Sequence, residues 1–548
     1  MKCFAMNSPI KSYQYGVLLG AIILLAFVLR FFRLDYHDYH NDEVISILAS
    51  RPPLPRIFWS LPAYSIHPPL FYLLLHLWMG LGEQLLTLRL LAVLIGTANI
   101  ALLALLGRAI IQDWRVSLVA AAFMAVSPAQ IFYCQQVRMY PLLVFAVLVT
   151  TLLALWAWRK GGWTRWGATS LAVAMGFYTH FYAPFSTLAL NGWAALVSLH
   201  QQHIAWGRWA GLVAAQGVGL ALFLPFLPQM QENVVAAKER FWLAGNTLFD
   251  WLMTLAEHTN STTLILGEKS AGPLRTFAGV LVLIVGVVVV IFTLIESVRL
   301  ARRFPNERET WFLLHALLWS PIVIATTISL TIKPILISRY LIGISIPLSL
   351  MMAWLVVRFW RVRAVQHLAL LFGASLVISL ALLYTQPRWQ NGAIQVAHWL
   401  ADNQQPGDAI VLTYWYSYDA TAFSHPELED TYIAPGPAYD VPFWARRISY
   451  IGWKTPWHVQ PVAHIAPRYQ RIFFLQSIHN PDFAYHHQHN KAWLEEQGRV
   501  VMQRDFADGT QLSVYEMGQG ESHTSGLSRR PVQYAGSSPR QPRSWGDQ

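Results

Sequence analysis

Between Gly16 and Tyr384 the chain alternates long apolar runs with short polar, mostly basic breaks; beyond Tyr384 the runs stop. The first run, Gly16–Phe32, is preceded by Lys2 and Lys11, and Arg30 and Arg33 stand where a small-residue cleavage site would follow. This pattern predicts an uncleaved signal-anchor helix with a cytoplasmic N-terminus. Further runs, on the order of 20 residues each, begin near Leu85, Val116, Met139, Trp166, Ala183, Trp209, Pro273, Trp311, Leu341 and Val365, giving about eleven transmembrane helices. The segment His67–Gly82 is apolar too. As a helix, Pro68–Gly82 would reach only ~22 Å, short of a ~30 Å hydrocarbon core. Were it to span, the basic groups Arg108/Arg115, Arg159/Lys160/Arg165, Arg299/Arg302/Arg303/Arg308 and Arg358/Arg361/Arg363 would all face outward. Lying in the interface or re-entering, it leaves them inside with Lys2 and Lys11, as the positive-inside rule prefers. The loop 33–84 and the segment Gln229–Gly272 are then outside.

After Tyr384 the pattern changes to mixed α/β. Gly392–Asn403 reads as a short helix, and the turn Gln405-Pro406-Gly407-Asp408 leads into a strand, Ala409–Tyr414. Arg471–Gln476 and Arg499–Met502 read as further strands, and Ala507-Asp508-Gly509-Thr510 as a hairpin turn into Gln511–Tyr515. From about Gly518 the chain is rich in Ser, Gly, Pro and Arg, a composition of disorder. The expected organisation is a polytopic α-helical membrane domain (1–386), an extracytoplasmic mixed α/β domain (387–517) and a disordered tail (518–548).

Composition narrows the classes. Of 548 residues, 55% are hydrophobic and 13% charged, with a mean hydropathy of +0.36; soluble chains carry roughly 25% charged residues. The net charge of +11 comes from cations placed between apolar runs, which a bilayer explains better than nucleic acid does. Two cysteines, Cys3 and Cys134, cannot build a disulfide framework or a thiolate zinc site. A soluble enzyme, a nucleic-acid-binding protein and a secreted disulfide scaffold are excluded.

The polar residues that need explaining gather at the outer helix ends. The first outer loop carries Asp35, Asp38, Asp42 and Glu43, with His40-Asn41-Asp42-Glu43 leading into the amphipathic stretch Val44–Ala49. Other ends contribute Arg89, Gln135–Tyr140 with Arg138, Tyr178–Tyr182 with His180, and Ser338-Arg339-Tyr340. Ionisable groups at membrane depth are costly and usually line a wet cavity with a task. Phosphate-loop, dinucleotide and Ser-His-Asp patterns are absent from the sequence. A carboxylate that takes a proton from a hydroxyl, with guanidiniums on a leaving phosphate, suits group transfer from a phosphorylated lipid.

The order of these elements resembles the GT-C glycosyltransferases of the protein O-mannosyltransferase and aminoarabinose-transferase type (glycosyltransferase family 39). The resemblance rests on Asp42-Glu43 early in the first outer loop and His67-Pro68-Pro69-Leu70 later in it. It continues with Leu88-Arg89-Leu90-Leu91, Arg138-x-Tyr140 and Arg339-Tyr340, and covers roughly residues 15–385. It implies an inverting transferase that moves a sugar from dolichyl or undecaprenyl phosphate to a hydroxyl on a glycan, lipid or protein, in contact with membrane lipids. Asp42 would be the base with Glu43 beside it. Arg89, Arg138 and Arg339 would bind the donor phosphate, with His67, Tyr140, His180 and Tyr340 in support. The chain departs from the pattern at Gln136, where many relatives have an acid, and at Ser65-Ile66-His67, where aminoarabinose-type enzymes often have an acid and Lys. The resemblance fixes no cofactor; with fewer acids near the site than in many relatives, a divalent metal is left open but is not indicated. A bacterial inner membrane fits better than an endoplasmic reticulum.

Simpler readings stand beside these. Asn41 or Asp42 would serve as a helix N-cap, and Glu43 would suit the positive end of a helix dipole. Arg138 and Arg339 would anchor helix ends among headgroups, and Arg89 would hold the first loop. The cluster His486-His487-Gln488-His489 reads as solvated surface, and Trp156, Trp158, Trp163 and Trp166 as an interfacial belt. The alternative function is a transporter or flippase of a lipid-linked saccharide. Such proteins tend to carry paired repeats and mid-bilayer broken helices, whereas here the charges collect at one face. A third reading is a scaffold whose outer domain binds a polymer.

Overall fold

A computed structural model describes residues 12–228 except 62, 63, 66 and 112, then 248–260, 272–434, 447–478 except 453 and 455–457, and 484–518. The chain is a polytopic helical protein with a small mixed sheet near its C-terminus. Among the described residues, eight helices have spanning length and hydropathy: Ser12–Phe31, Leu85–Ile110, Tyr140–Lys160, Trp206–Phe226, Pro273–Arg303, Arg308–Thr331, Ser338–Arg358 and Arg363–Tyr384. A ninth is the pair Trp114–Ala125 and Pro128–Cys134, bent by 57°. The remaining two of the eleven apolar runs are also helical, Trp163–Thr179 and Ala183–Gln201, but shorter or less apolar. His67–Gly82 yields only the ten-residue helix Leu70–Met79, about 15 Å long at 1.5 Å per residue. Of the expected outer segment 229–272, only helix Leu248–Asn260 and residue 272 are described. The tail beyond 518 lies outside the described residues, as do the side chains of His486 and His487 within helix Ala484–Gln497.

The bend has a local cause. Pro128 has no amide hydrogen to continue the preceding helix, so the chain breaks at Val126-Ser127 and restarts. The freed carbonyls of Met124 and Ala125 accept from the fully buried guanidinium of Arg30, at 3.1 and 2.9 Å. The second half of the pair then packs hard on Leu85–Ile110. A Cβ at Gly96 would sit 2.1 Å from Cys134 Sγ, so only glycine allows that approach.

The C-terminal sheet has strands β1 Asp408–Leu412, β2 Thr431–Ile433, β3 Arg471–Ser477, β4 Gly498–Asp505 and β5 Thr510–Met517, in the order β2-β1-β3-β5-β4. The pairs β1–β2 and β1–β3 are parallel, and β3–β5 and β4–β5 antiparallel. The β4–β5 hairpin turns at Ala507–Gly509, where Asp508 and Gly509 take positive φ (52° and 78°). Helix Gly392–Asn403 precedes β1, capped by Asn391. Residues on β3 alternate sides as a pleat requires: Phe473 and Leu475 join one large apolar core, Ile472 and Phe474 a smaller one behind the sheet. The large core runs without interruption from the membrane helices through the first loop to the sheet. The sheet unit therefore sits at the same end of the helices as that loop.

Candidate active site

The first loop is organised by helix Asn41–Ser50, and its N-terminus fixes the two acids differently. His40 is the N-cap: its ring accepts from the Asp42 amide, while Glu43 Oε2 accepts from the His40 amide at 2.9 Å. Neither Asn41 nor Asp42 caps this helix, which frees the Asp42 carboxylate.

Glu43 is fully committed. It accepts from Arg89 Nε (2.8 Å) and Nη2 (2.7 Å) in a two-pronged pair, and Oε1 also accepts from the Val137 amide (2.9 Å). Arg89 spends its remaining hydrogens on the carbonyls of Leu34, His37 and Asp38, at 2.8–2.9 Å. Burial alone would raise the Glu43 carboxyl; the Arg89 charge and these hydrogen bonds outweigh it and hold the group below its ordinary value. This knot joins the first loop to helix Leu85–Ile110 and to the turn carrying Arg138.

Asp42, one residue earlier, keeps 23% of its side chain exposed. Its carboxylate lies 3.9 Å from Arg138 Nη2 and makes no hydrogen bond of its own among the described residues. Burial again opposes ionisation, but Arg138, His40 and Arg339 together lower its pKa from 3.8 to about 2. Asp42 is therefore ionised and reachable.

Arg138 stands in the turn between Cys134 and helix Tyr140–Lys160, donating to the Asp42 carbonyl (3.2 Å) and Ser46 Oγ (3.1 Å). Its Nη2 meets His67 Nε2 at 3.2 Å. An arginine can only donate, so His67 accepts there and carries its proton on Nδ1. Burial, followed by Arg138, His180 and Arg339, pushes the His67 pKa well below its ordinary value, consistent with that neutral ring.

Around this pair an aromatic cluster closes. His67 stacks on His180 with ring centroids 5.1 Å apart, and Tyr340 meets His67 at 5.7 Å and His180 at 4.7 Å. Tyr140 lies 6.3–6.4 Å from Tyr340 and His180. Arg339 is in the 3-10 segment Ser338–Ile344 that leads into helix Ser345–Arg358, with its guanidinium 5.6 Å from the Tyr340 ring. Asp42, His67, Arg138, Tyr140, His180, Arg339 and Tyr340 thus share one place, while Glu43 and Arg89 sit beside it, facing each other.

The unpaired atoms of this cluster are informative. Arg138 Nε, Arg339 Nε, Tyr140 Oη, His67 Nδ1 and His180 Nε2 are buried and have no hydrogen-bond partner among the described residues. His180 Nδ1 accepts from the Tyr182 amide, so its Nε2 bears the proton. All five are therefore donors. A buried set of donors, with two guanidiniums against one free carboxylate, is complementary to an oxyanion with several oxygens.

Two further residues reach this cluster from helix Leu248–Asn260 and were not singled out in the sequence. Glu257 Oε1 accepts from Tyr133 Oη at 2.8 Å, and Tyr133 packs on Tyr140. His258 Nε2 donates to the Ser338 carbonyl at 2.8 Å, next to Arg339. The available signal was an adjacent Glu-His pair directly after the mostly apolar stretch Trp251–Ala256. Among the described residues no group of three or more His, Cys, Asp or Glu has the geometry of a metal site.

Residues 66–228 match the family described as dolichyl-phosphate-mannose-protein mannosyltransferase, a stretch that includes His67, Arg89, Arg138, Tyr140 and His180. No curated protein matches the chain in sequence. Among solved structures, ArnT from Cupriavidus metallidurans bound to undecaprenyl phosphate superposes with a TM-score of 0.55 at 14% identity, covering 92% of this chain and 98% of that one. Its apo form gives 0.55 at 13% identity with the same coverage. The Archaeoglobus fulgidus oligosaccharyltransferase in complex with Zn and sulfate gives 0.50 at 13% identity, covering 83% and 67%. The fold is that of the GT-C membrane glycosyltransferases. The family segment, residues 66–228, lies within that fold and spans under half of the chain.

Proposed function

We propose that the protein transfers a hexosyl or pentosyl group from a polyprenyl phosphate to a hydroxyl of a lipid, polysaccharide or protein, at the extracytoplasmic face of the plasma membrane. Asp42 removes the proton of the acceptor hydroxyl. The acceptor oxygen forms its bond to the anomeric carbon as the bond from that carbon to the phosphate oxygen breaks, and the electron pair leaves on the phosphate. The donor phosphate carries one negative charge and the released monoester nearly two at neutral pH. Arg138 and Arg339 meet that growing charge, which is where electrostatic stabilisation acts most strongly. The observation that carries this reading is the set of five buried donors without acceptors beside one reachable carboxylate.

The single displacement, and so inversion, is supported by Glu43 being held by Arg89: among the described residues no second uncommitted carboxylate stands beside Asp42 to act as nucleophile. Glu43 and Arg89 act by fixing the loop, and His67 by holding Arg138. The sidedness is supported by Arg108, Lys160, Arg303 and Arg358, which close the last turns of their helices. For two of these helices the opposite end leads to Arg89 and Arg138.

Asp42→Asn keeps the shape and removes the base. Donor turnover, read as released undecaprenyl phosphate, should fall by roughly 10²–10⁴ while undecaprenyl phosphate still binds. Wild-type turnover by the purified variant would overturn the assignment.

A further inference from the structure

The sheet unit is fastened to the first loop by a buried polar cluster that the chemistry above does not use. Tyr64 lies three residues before His67. Its hydroxyl donates to Asp419 Oδ1 at 2.8 Å, and its carbonyl accepts from Arg447 at 2.8 Å. Arg447 is ion-paired with Asp419 and lies over the Tyr64 ring at 4.1 Å, while the other face of the contact is a stack with Tyr450 at 5.4 Å. Tyr450 in turn donates to the Ala49 carbonyl at the end of the Asp42 helix (2.8 Å). At the start of that helix, Asn391 donates to the Tyr39 carbonyl (3.0 Å) and to Asn41 Oδ1 (2.9 Å). Tyr64, Asp419, Arg447 and Tyr450 are each at most 5% exposed.

A buried ion pair adds little net stability over an apolar contact of the same shape, and its best-attested use is to fix register. Here the register fixed is that of the site. On the membrane side the loop is pinned through Glu43 and Arg89, through Arg138 on the Asp42 carbonyl and Ser46, and through His76 on the Ser50 carbonyl. The sheet unit adds its own holds at the far end of the helix, through Tyr450, and on the approach to His67, through Asp419 and Arg447. Ser65 carries the constraint onward, accepting from the His67 amide at 3.4 Å and bonding Tyr72 at 2.8 Å.

We infer that Tyr64, Asp419 and Arg447 form a positioning clamp by which the C-terminal sheet unit sets the placement of His67, and through it Arg138, relative to Asp42. This rests on the active-site reading above. None of the three touches the reacting atoms; they act through the loop, so the unit is a working part of the transferase and not only an appended binding module.

The test uses the full-length protein in detergent, undecaprenyl phosphate carrying a radiolabelled hexose or pentose as donor, and membranes of the producing cell as acceptor source. Tyr64→Phe removes one hydrogen bond and keeps the ring; Asp419→Asn removes the charge at nearly constant shape. Both should lower kcat, Asp419→Asn by roughly ten- to a hundredfold, with the Kd for undecaprenyl phosphate within about twofold of wild type, since phosphate binding rests mainly on the guanidiniums. Because the two changes remove parts of one cluster, the double variant should be no slower than Asp419→Asn alone. Folded variants that keep the wild-type kcat, or losses that track only the folded fraction, would overturn the clamp. Should Asp419→Asn fail to fold, Tyr64→Phe decides alone. An inactive Asp42→Asn beside a normal Tyr64→Phe refutes the clamp and spares the site, whereas an active Asp42→Asn refutes the site itself.

Discussion

Glu43 and Arg89 offer the sharpest separation between a group that reacts and a group that holds. The pair is almost dry, with side chains 1% and 4% exposed, and each oxygen of Glu43 has two donors. Replacing Glu43 by Gln leaves the Arg89 charge buried without its counter-ion, a change that costs about 3–5 kcal/mol in comparable sites. At about 1.4 kcal/mol per factor of ten, that is two to three and a half orders of magnitude in the equilibrium that keeps the loop docked. Arg89→Met removes more, because the carbonyls of Leu34, His37 and Asp38 lose their donor as well as the carboxylate losing its partner. The expected order is therefore wild type, then Glu43→Gln, then Arg89→Met, with the double variant no worse than Arg89→Met. The assay is a double-mutant cycle on thermal stability in detergent and on kcat for donor turnover, read side by side. Stability and kcat should fall together, with a coupling of roughly 3 kcal/mol in the stability cycle. Additive effects, or a Glu43→Gln variant of wild-type stability that is nonetheless inactive, would refute the holding role and make Glu43 a participant in the reaction.

Other outcomes follow from the same geometry. Arg138→Lys and Arg339→Lys should each weaken undecaprenyl phosphate binding by at least tenfold in a direct binding measurement, since a point charge cannot reproduce a guanidinium fork; unchanged Kd values would exclude them from the phosphate site. With Asp42 near 2, its charge contributes stability above pH ~4 that is lost only as pH falls through about 2. Its ionisation therefore puts no limb in kcat/KM between pH 5 and 8, and a limb in that window that disappears in Asp42→Asn would contradict the assignment. Burial, then Arg89 and Arg33, lowers His37 to about 4, and burial, then Arg138, His180 and Arg339, holds His67 well below its ordinary value. Both are neutral when folded, so the unfolded chain binds more protons below pH ~6.5 and thermal stability should decline there as pH falls. A stability profile that rises on acidification would show that these rings are charged in the fold.

The sequence made the helices legible because a membrane span is a long one-sided signal: all eleven apolar runs are helical, and the 15-residue stretch 68–82 was too short to cross and forms only a ten-residue helix. The C-terminal helix Gly392–Asn403 has the bounds read from its pattern, and β3 ends one residue beyond its predicted end, because turn residues and alternation mark both. The split between the two loop acids was not legible. Asp42 and Glu43 are adjacent and chemically alike, and what separates them is Arg89, 46 residues on, and the Val137 amide. The simpler reading of the sequence offered Asn41 or Asp42 as the cap, the usual residue types, whereas the structure uses His40. Tyr64 lies 355 residues from Asp419 and 383 from Arg447, and no spacing rule joins them.

The most direct test of the account is a structure of the protein with undecaprenyl phosphate bound. The phosphate oxygens should lie about 3 Å from the Arg138 and Arg339 guanidiniums, with the Asp42 carboxylate facing the side from which the sugar is attacked and Arg89 still on Glu43. A phosphate bound elsewhere, with the five buried donors still without acceptors, would contradict it.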